Sequence, residues 1–246
     1  MKKNLHAFAM CQSMFCAIPC LWKVWDEEAR DRMLLFLPLV GLEIGTVWAA
    51  AAWLGRVLEL PAALWALVVC LCPYVLTGGI HLDGFMDVTD AVRSWRDAAR
   101  RREILKDSHV GSFAVVGLAM LLLAGFAVCL SAPAEAALWP LVLIPGVSRC
   151  GSALAVTALP PMTTSQYARQ KKPGWHLWVL GAVTAALVAL GFALGGRYGL
   201  SLLGCLAGYG LALRRAYKSL EGMNGDVAGY ALTIGELCGL AVWALI

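Results

Sequence analysis

A succession of apolar stretches, each long enough to cross a bilayer, restricts this chain to one broad kind of fold. Residues 34–54, 61–80, 111–130, 137–159, 177–196 and 227–246 each offer about 20 mainly apolar positions, the length a helix needs to cross the hydrocarbon core. A seventh stretch, 198–213, is shorter and rich in glycine. The polar residues between them are distributed unevenly. Fifteen lysines and arginines fall in segments 23–33, 81–110, 160–176 and 214–225, against two in 55–60, 131–136 and the turn at Arg197. Basic residues gather on the cytoplasmic side of membrane proteins, so the alternation supports counting the seventh stretch and places the four basic segments in the cytoplasm. Only 15% of residues are charged and 60% are hydrophobic, whereas about 25% are charged in a typical soluble domain. The expected fold is all-α: a polytopic integral membrane protein of about seven transmembrane helices. No internal repeat, low-complexity tract or linker divides residues 1–246, which read as a single membrane-embedded domain.

The first 22 residues superficially resemble a signal peptide, with Lys2 and Lys3 ahead of an apolar run. Gln12 and Ser13 interrupt that run, and no small-residue cleavage site follows. The segment reads as a retained short piece, re-entrant or interfacial. The nine cysteines form no CxxC pair and read as packing residues in a reducing setting.

The chemistry is concentrated at Gly78-Gly79-Ile80-His81-Leu82-Asp83-Gly84-Phe85-Met86-Asp87-Val88-Thr89-Asp90. On a helix, Asp83, Asp87 and Asp90 fall at i, i+4 and i+7 and share one face. No lysine or arginine lies between Gly78 and Arg93. Like charges at this spacing cost a helix about 0.2–0.5 kcal/mol per pair, and a bridging cation would reverse the sign. An oxygen-only donor set suits Mg²⁺, which takes one or two carboxylates and completes its shell with phosphate oxygens and water. The plainer reading is a solvated acidic helix end.

A basic run follows, with Arg93, Arg96 and Arg100 to Arg102, and then Lys106-Asp107-Ser108. Carboxylates beside cations suit a metal-bound polyphosphate. The arginines could equally anchor the chain at the membrane surface, and Asp107 or Ser108 could cap the next helix. Asp226 opens the last span, where it could cap the helix or add a carboxylate to the site. Arg149 lies mid-span, about 15 Å deep at 1.5 Å per residue. An arginine at that depth needs a partner and marks a functional site by default. Glu236 and Glu43 lie at comparable depth, so Arg149 is either half of a structural ion pair or a phosphate ligand. His81 is an interface histidine or a ligand. His6, His109 and His176 suggest no role.

These residues resemble one family, the cobalamin synthases (adenosylcobinamide-GDP ribazoletransferases). The resemblance rests on Gly78 to Gly84 with Asp87 and Asp90, and on Lys106-Asp107-Ser108 with Gly111. It extends to Phe36-Leu37-Pro38-Leu39-Val40-Gly41, Val147-Ser148-Arg149 and Gly225-Asp226 with Gly229 and Glu236. The chain departs from the family at Met14 to Pro19, which lacks an arginine, and at Ala91, where the family has glycine. The resemblance implies a Mg²⁺-dependent enzyme of the inner (cytoplasmic) membrane, with its active site facing the cytoplasm. It would join α-ribazole, or its 5′-phosphate, to adenosylcobinamide-GDP and release GMP at the end of nucleotide-loop assembly. Asp83, Asp87 and Asp90 would hold the metal on the pyrophosphate. Lys106 and Arg149 would offset phosphate charge, and Asp107 or Asp226 would orient or deprotonate the attacking hydroxyl. His81, Ser108, Arg149 and Arg93 would contact substrate. The lipid bilayer is a further partner, nucleic acid is not, and self-association is allowed. A CDP-alcohol phosphotransferase is the nearest rival, but its Asp-Gly-x-x-Ala-Arg continuation is absent after Gly84. A transporter with Glu43, Arg149 and Glu236 along its path would be expected to show an inverted repeat.

Overall fold

A computed structural model describes residues 2–20, 22–162, 165 and 173–246. The basic residues Arg169, Lys171 and Lys172 lie outside the described residues. The described chain is all helical, with no strand and one isolated bridge between Pro161 and Met223.

The N-terminal helix α1 (Lys2–Phe15) has 14 residues and buries Ala7, Met10, Cys11 and Gln12. At 1.5 Å per residue it is about 21 Å long, too short to cross a bilayer. A 3₁₀ segment (Arg30–Phe36) leads into α2 (Leu37–Val57), and α1 docks against both. Gln12, which interrupts the apolar run, donates from Nε2 to Glu43 Oε1 in α2 at 2.7 Å. One polar residue in the first helix thus satisfies a half-buried carboxylate in the second.

The expected span at 61–80 is not one straight helix. α3 (Ala62–Leu76) has only 15 residues. Gly78 and Gly79 follow with φ of 61° and 80°, a left-handed region that costs glycine little. The chain then turns by 91° into α4 (Ile80–Arg93). α4 buries His81, Gly84, Phe85, Val88, Thr89 and Ala91 along one face and leaves its aspartates on the other.

A short α5 (Ala98–Ile104) precedes α6 (Ser112–Ser131), α7 (Trp139–Ala158) and α8 (Trp175–Gly195). The chain reverses through a 3₁₀ turn (Gly196–Gly199) into α9 (Leu200–Leu220) and ends with α10 (Gly225–Leu245). Side chains of α8 and α9 share one cluster against α7, where Leu187 and Leu202 pack with Ile144 and Val147. α7 and α10 are the most deeply buried helices and form the centre of the bundle. α6 and α8 turn large apolar residues outward, among them Leu123 and Trp178, as expected of helices facing lipid.

Five helical stretches are long and apolar enough to cross a membrane, or six if the bent α3–α4 pair is one span. Against the sequence expectation of seven, the 61–80 stretch is broken by the 91° turn, and α8 and α9 enter this count as one 46-residue stretch, Trp175–Leu220, although the 3₁₀ turn at Gly196–Gly199 separates them.

The ends of the bundle sort the segments as their charge does. Arg101 and Arg102 donate to the carbonyls of Ser219 and Leu220, which brings 81–110 beside 214–225. The Pro161–Met223 bridge adds the start of 160–176 to the same end. On the other end, Arg56 donates to the carbonyl of Ala136 at 2.8 Å and joins the two charge-poor turns. Arg101 and Arg102 therefore satisfy the last carbonyls of α9, a local role that the membrane-anchoring reading did not include.

Candidate active site

The acidic face is assembled where α4 crosses the start of α10. Gly84 makes the crossing possible, because a Cβ there would lie 2.9 Å from the Cα of Asp226. The close approach brings Asp226 into the field of the α4 aspartates, so that Asp87 experiences the charges of Asp83, Asp226 and Asp90. Asp83 is exposed, while Asp87, Asp90 and Asp226 are half-buried. Among the described residues no lysine or arginine forms an ion pair with any of the four. The last helix is capped by Asn224, whose Oδ1 accepts from the Val227 amide at 2.9 Å. That corrects the capping alternative for Asp226, which instead accepts from Asn224 Nδ2 at 2.6 Å.

Asp90 is seated by a second glycine. A Cβ on Gly111 would run into the Asp90 carboxylate, which explains why the Lys106-Asp107-Ser108 stretch closes on glycine. Among the described residues no three His, Cys, Asp or Glu side chains converge closely enough to hold a metal unaided. The donor set nonetheless suits Mg²⁺, being oxygen-only and without a counter-charge of its own. A hard ion held by one or two carboxylates takes its remaining ligands from phosphate and water.

A cavity of about 220 Å³, which shares Asp226 with this face, lies between α1, α2, α4, α7 and α10. Phe15, Leu37, His81, Ser152, Val156 and Asp226 are among its lining residues. The His81 ring stacks on Phe15 with centroids 6.3 Å apart, and its backbone carbonyl accepts from Thr233 Oγ1 at 3.3 Å. His81 is buried, yet among the described residues its Nε2 has no hydrogen-bond partner. Ser152 Oγ and the Tyr209 hydroxyl are likewise buried and are hydrogen-bonding neighbours of each other.

Arg149 is fully buried in α7 and pairs with Glu236 of α10 at 2.6 Å. Ser148 Oγ donates to the same Glu236 oxygen at 2.8 Å, and Arg149 also reaches the Pro145 carbonyl at 3.2 Å. Of the two alternatives for Arg149, the ion pair is the one formed, and Arg149 does not line the cavity.

The remaining candidates are scattered. Arg93 closes α4 and is half-buried. Lys106, Asp107 and Ser108 are exposed between α5 and α6. α6 is preceded by Gly111 with no side-chain cap, which corrects the expectation that Asp107 or Ser108 caps it. Asp107 accepts instead from the His109 amide and ring at 3.0 and 2.7 Å, and these bonds hold its carboxyl below the usual carboxylate range. Lys106 lines a different cavity, with Arg102, Glu103 and Glu221. Sequence reading missed Phe15, Ser152 and Asn224. Only Asn224 carried a signal, as a capping residue three positions ahead of Val227.

The family model for cobalamin-5-phosphate synthase matches residues 7–244. A Clostridium perfringens (strain 13) protein named adenosylcobinamide-GDP ribazoletransferase is 34% identical over 251 residues, covering 100% of both chains. Proteins of the same name from Clostridium botulinum (strain Alaska E43) and Geobacillus kaustophilus are 32% and 30% identical. They cover 98% and 100% of this chain and 97% of their own length in each case. No solved structure matches. With motifs, helical bundle and full-length relatives in agreement, the chain belongs to the cobalamin-5-phosphate synthase family.

Proposed function

We propose that this protein is an adenosylcobinamide-GDP ribazoletransferase, and that the acidic face of α4 with Asp226 is its reaction centre. The observation that carries the reading is the Gly84 crossing, which brings Asp226, a residue of the cavity wall, into the field of the three α4 carboxylates, with no basic partner for any of the four among the described residues. A ribose hydroxyl of α-ribazole, or of its 5′-phosphate, attacks the cobinamide-side phosphorus of the pyrophosphate. A new P–O bond forms, the bond to GMP breaks, and GMP leaves with the electron pair.

Such a reaction depends chiefly on positioning and charge neutralisation. Bound Mg²⁺ would neutralise the pyrophosphate and the departing GMP. Asp83, Asp87 and Asp90 would hold it. Asp226 is better placed than Asp107 to take the hydroxyl proton. It lines the cavity and faces the α4 carboxylates, whereas Asp107 is exposed and is made a weak base by His109. Arg93, at the end of α4, and Lys106, beside α5, are the cations left to meet phosphate, with Ser108 alongside. The charge-rich end of the bundle would face the cytoplasm of a cell bounded by this inner membrane, where nucleotide substrates are made.

The test is incubation of detergent-purified protein with adenosylcobinamide-GDP, α-ribazole and Mg²⁺, followed by chromatography for GMP and the joined corrinoid. Both products should appear in equal amounts. GMP without a joined corrinoid would show hydrolysis and defeat the assignment.

A further inference from the structure

The cavity beside the acidic face offers more than the transfer of a phosphoryl group requires. At about 220 Å³ it is smaller than the roughly 300–1,000 Å³ pockets that enclose a whole drug-sized ligand. It would therefore take one ring system, not a corrinoid or a complete nucleotide. Among the described residues no lysine or arginine lines it, and Asp226 does, so this lining offers a phosphate no cation. Met14, Phe15, Leu34, Leu37 and Val156 make its wall apolar. Within that wall His81 is buried with Nε2 unpartnered among the described residues, and Ser152 is buried beside the Tyr209 hydroxyl. Buried polar atoms without partners are uncommon, and a ligand that supplies the missing bonds is one way to account for them.

These features describe a flat, neutral, mostly apolar heterocycle carrying one or two ring nitrogens. Guanine, with three polar edges, would leave several of its own groups unpaired against such a wall. Resting on the transferase reading above, we propose that this cavity is the subsite for the aromatic base of the acceptor nucleoside. Phe15, Ser152 and Val156 set which base is accepted. α1 and the start of α2 supply much of the wall, so the N-terminal helix acts as a specificity element. Asp226, shared by the cavity and the acidic face, then lies beside the ribose of a nucleoside whose base is bound.

The experiment is equilibrium dialysis of labelled α-ribazole, and separately of labelled GMP, against the full-length detergent-purified protein with Mg²⁺. Wild type is compared with Val156→Phe and Ser152→Ala. Filling an apolar pocket by mutation changes discrimination by roughly 10–200-fold. α-Ribazole affinity should fall by at least about tenfold in Val156→Phe, while GMP affinity and melting temperature hold. Should Val156→Phe melt early, Ser152→Ala decides, with an expected loss of about threefold or more for α-ribazole alone, the scale of a neutral hydrogen bond. No α-ribazole binding to wild type, or equal binding by all well-folded variants, overturns the subsite, as does a loss confined to GMP. Turnover is read separately. α-Ribazole binding that depends on Val156 in a protein releasing no GMP supports the subsite and defeats the transferase reading. Normal GMP release with unchanged binding in the variants does the reverse.

Discussion

Arg149 of α7 and Glu236 of α10 are joined at 2.6 Å across the two most buried helices. Removing one partner of a buried pair costs about 3–5 kcal/mol, because the other charge is left uncompensated. Arg149→Met and Glu236→Gln should each lower the melting temperature in detergent sharply. The double variant should recover most of that loss. Equal melting of all four proteins would show that the pair contributes nothing to the fold.

Gly111 tests the seating of Asp90. Gly111→Ala places a methyl group where the Asp90 carboxylate lies. Turnover should fall by at least about tenfold, which is about 1.4 kcal/mol. The melting temperature should change little, since Gly111 sits at a helix boundary with no side-chain cap to lose. Unchanged turnover would mean that the exact position of Asp90 is irrelevant to the reaction.

Asp107 supplies a pH test. The His109 amide and ring hold its carboxyl below the usual carboxylate range. Its folded pKa is depressed, so whatever stability it adds is present above the ordinary carboxylate pKa and is lost as pH falls through the lower folded value. Near neutrality it is ionised and weakly basic. Asp107→Asn should therefore leave the acid limb of the pH–rate profile in place, whereas Asp226→Asn should abolish that limb together with most turnover. A shift of the limb in Asp107→Asn would return the role of base to Asp107.

Much of this arrangement is legible in the sequence, and the rest has physical causes for being hidden. The shared face of Asp83, Asp87 and Asp90 follows from helical periodicity alone. The depth of Arg149 and Glu236 reveals them as possible partners, because charges so far from water need one. The 91° turn after Leu76 is signalled only by Thr77-Gly78-Gly79, a break too short to interrupt the hydropathy of 61–80, which records composition without direction. The Gln12–Glu43 bond and the Gly84–Asp226 crossing join residues far apart in the chain. No local pattern encodes such contacts. Phe15 and Ser152 gave no warning, since an aromatic and a serine inside apolar helices ordinarily serve packing.

The grouping of segments predicts their labelling. On a background lacking the nine native cysteines, single cysteines placed in 95–110 and 214–222 should react with a membrane-impermeant reagent from the same side, the cytoplasm. Cysteines in 56–60 and 132–135 should react only from the other. Labelling of the first two segments from opposite sides would contradict the contact of Arg101 and Arg102 with the end of α9.

The central claim is that the carboxylates of α4 and Asp226 carry a metal-dependent transfer. The most direct measurement is GMP release from adenosylcobinamide-GDP and α-ribazole by wild type, Asp83→Asn, Asp87→Asn and Asp90→Asn, each with Mg²⁺ and with EDTA. All four proteins should melt alike. Wild type should release GMP only with Mg²⁺, recover after EDTA when Mg²⁺ is restored, and exceed each variant by about a hundredfold or more, near 2.7 kcal/mol. Full GMP release by all three variants, or by wild type in EDTA, would contradict it.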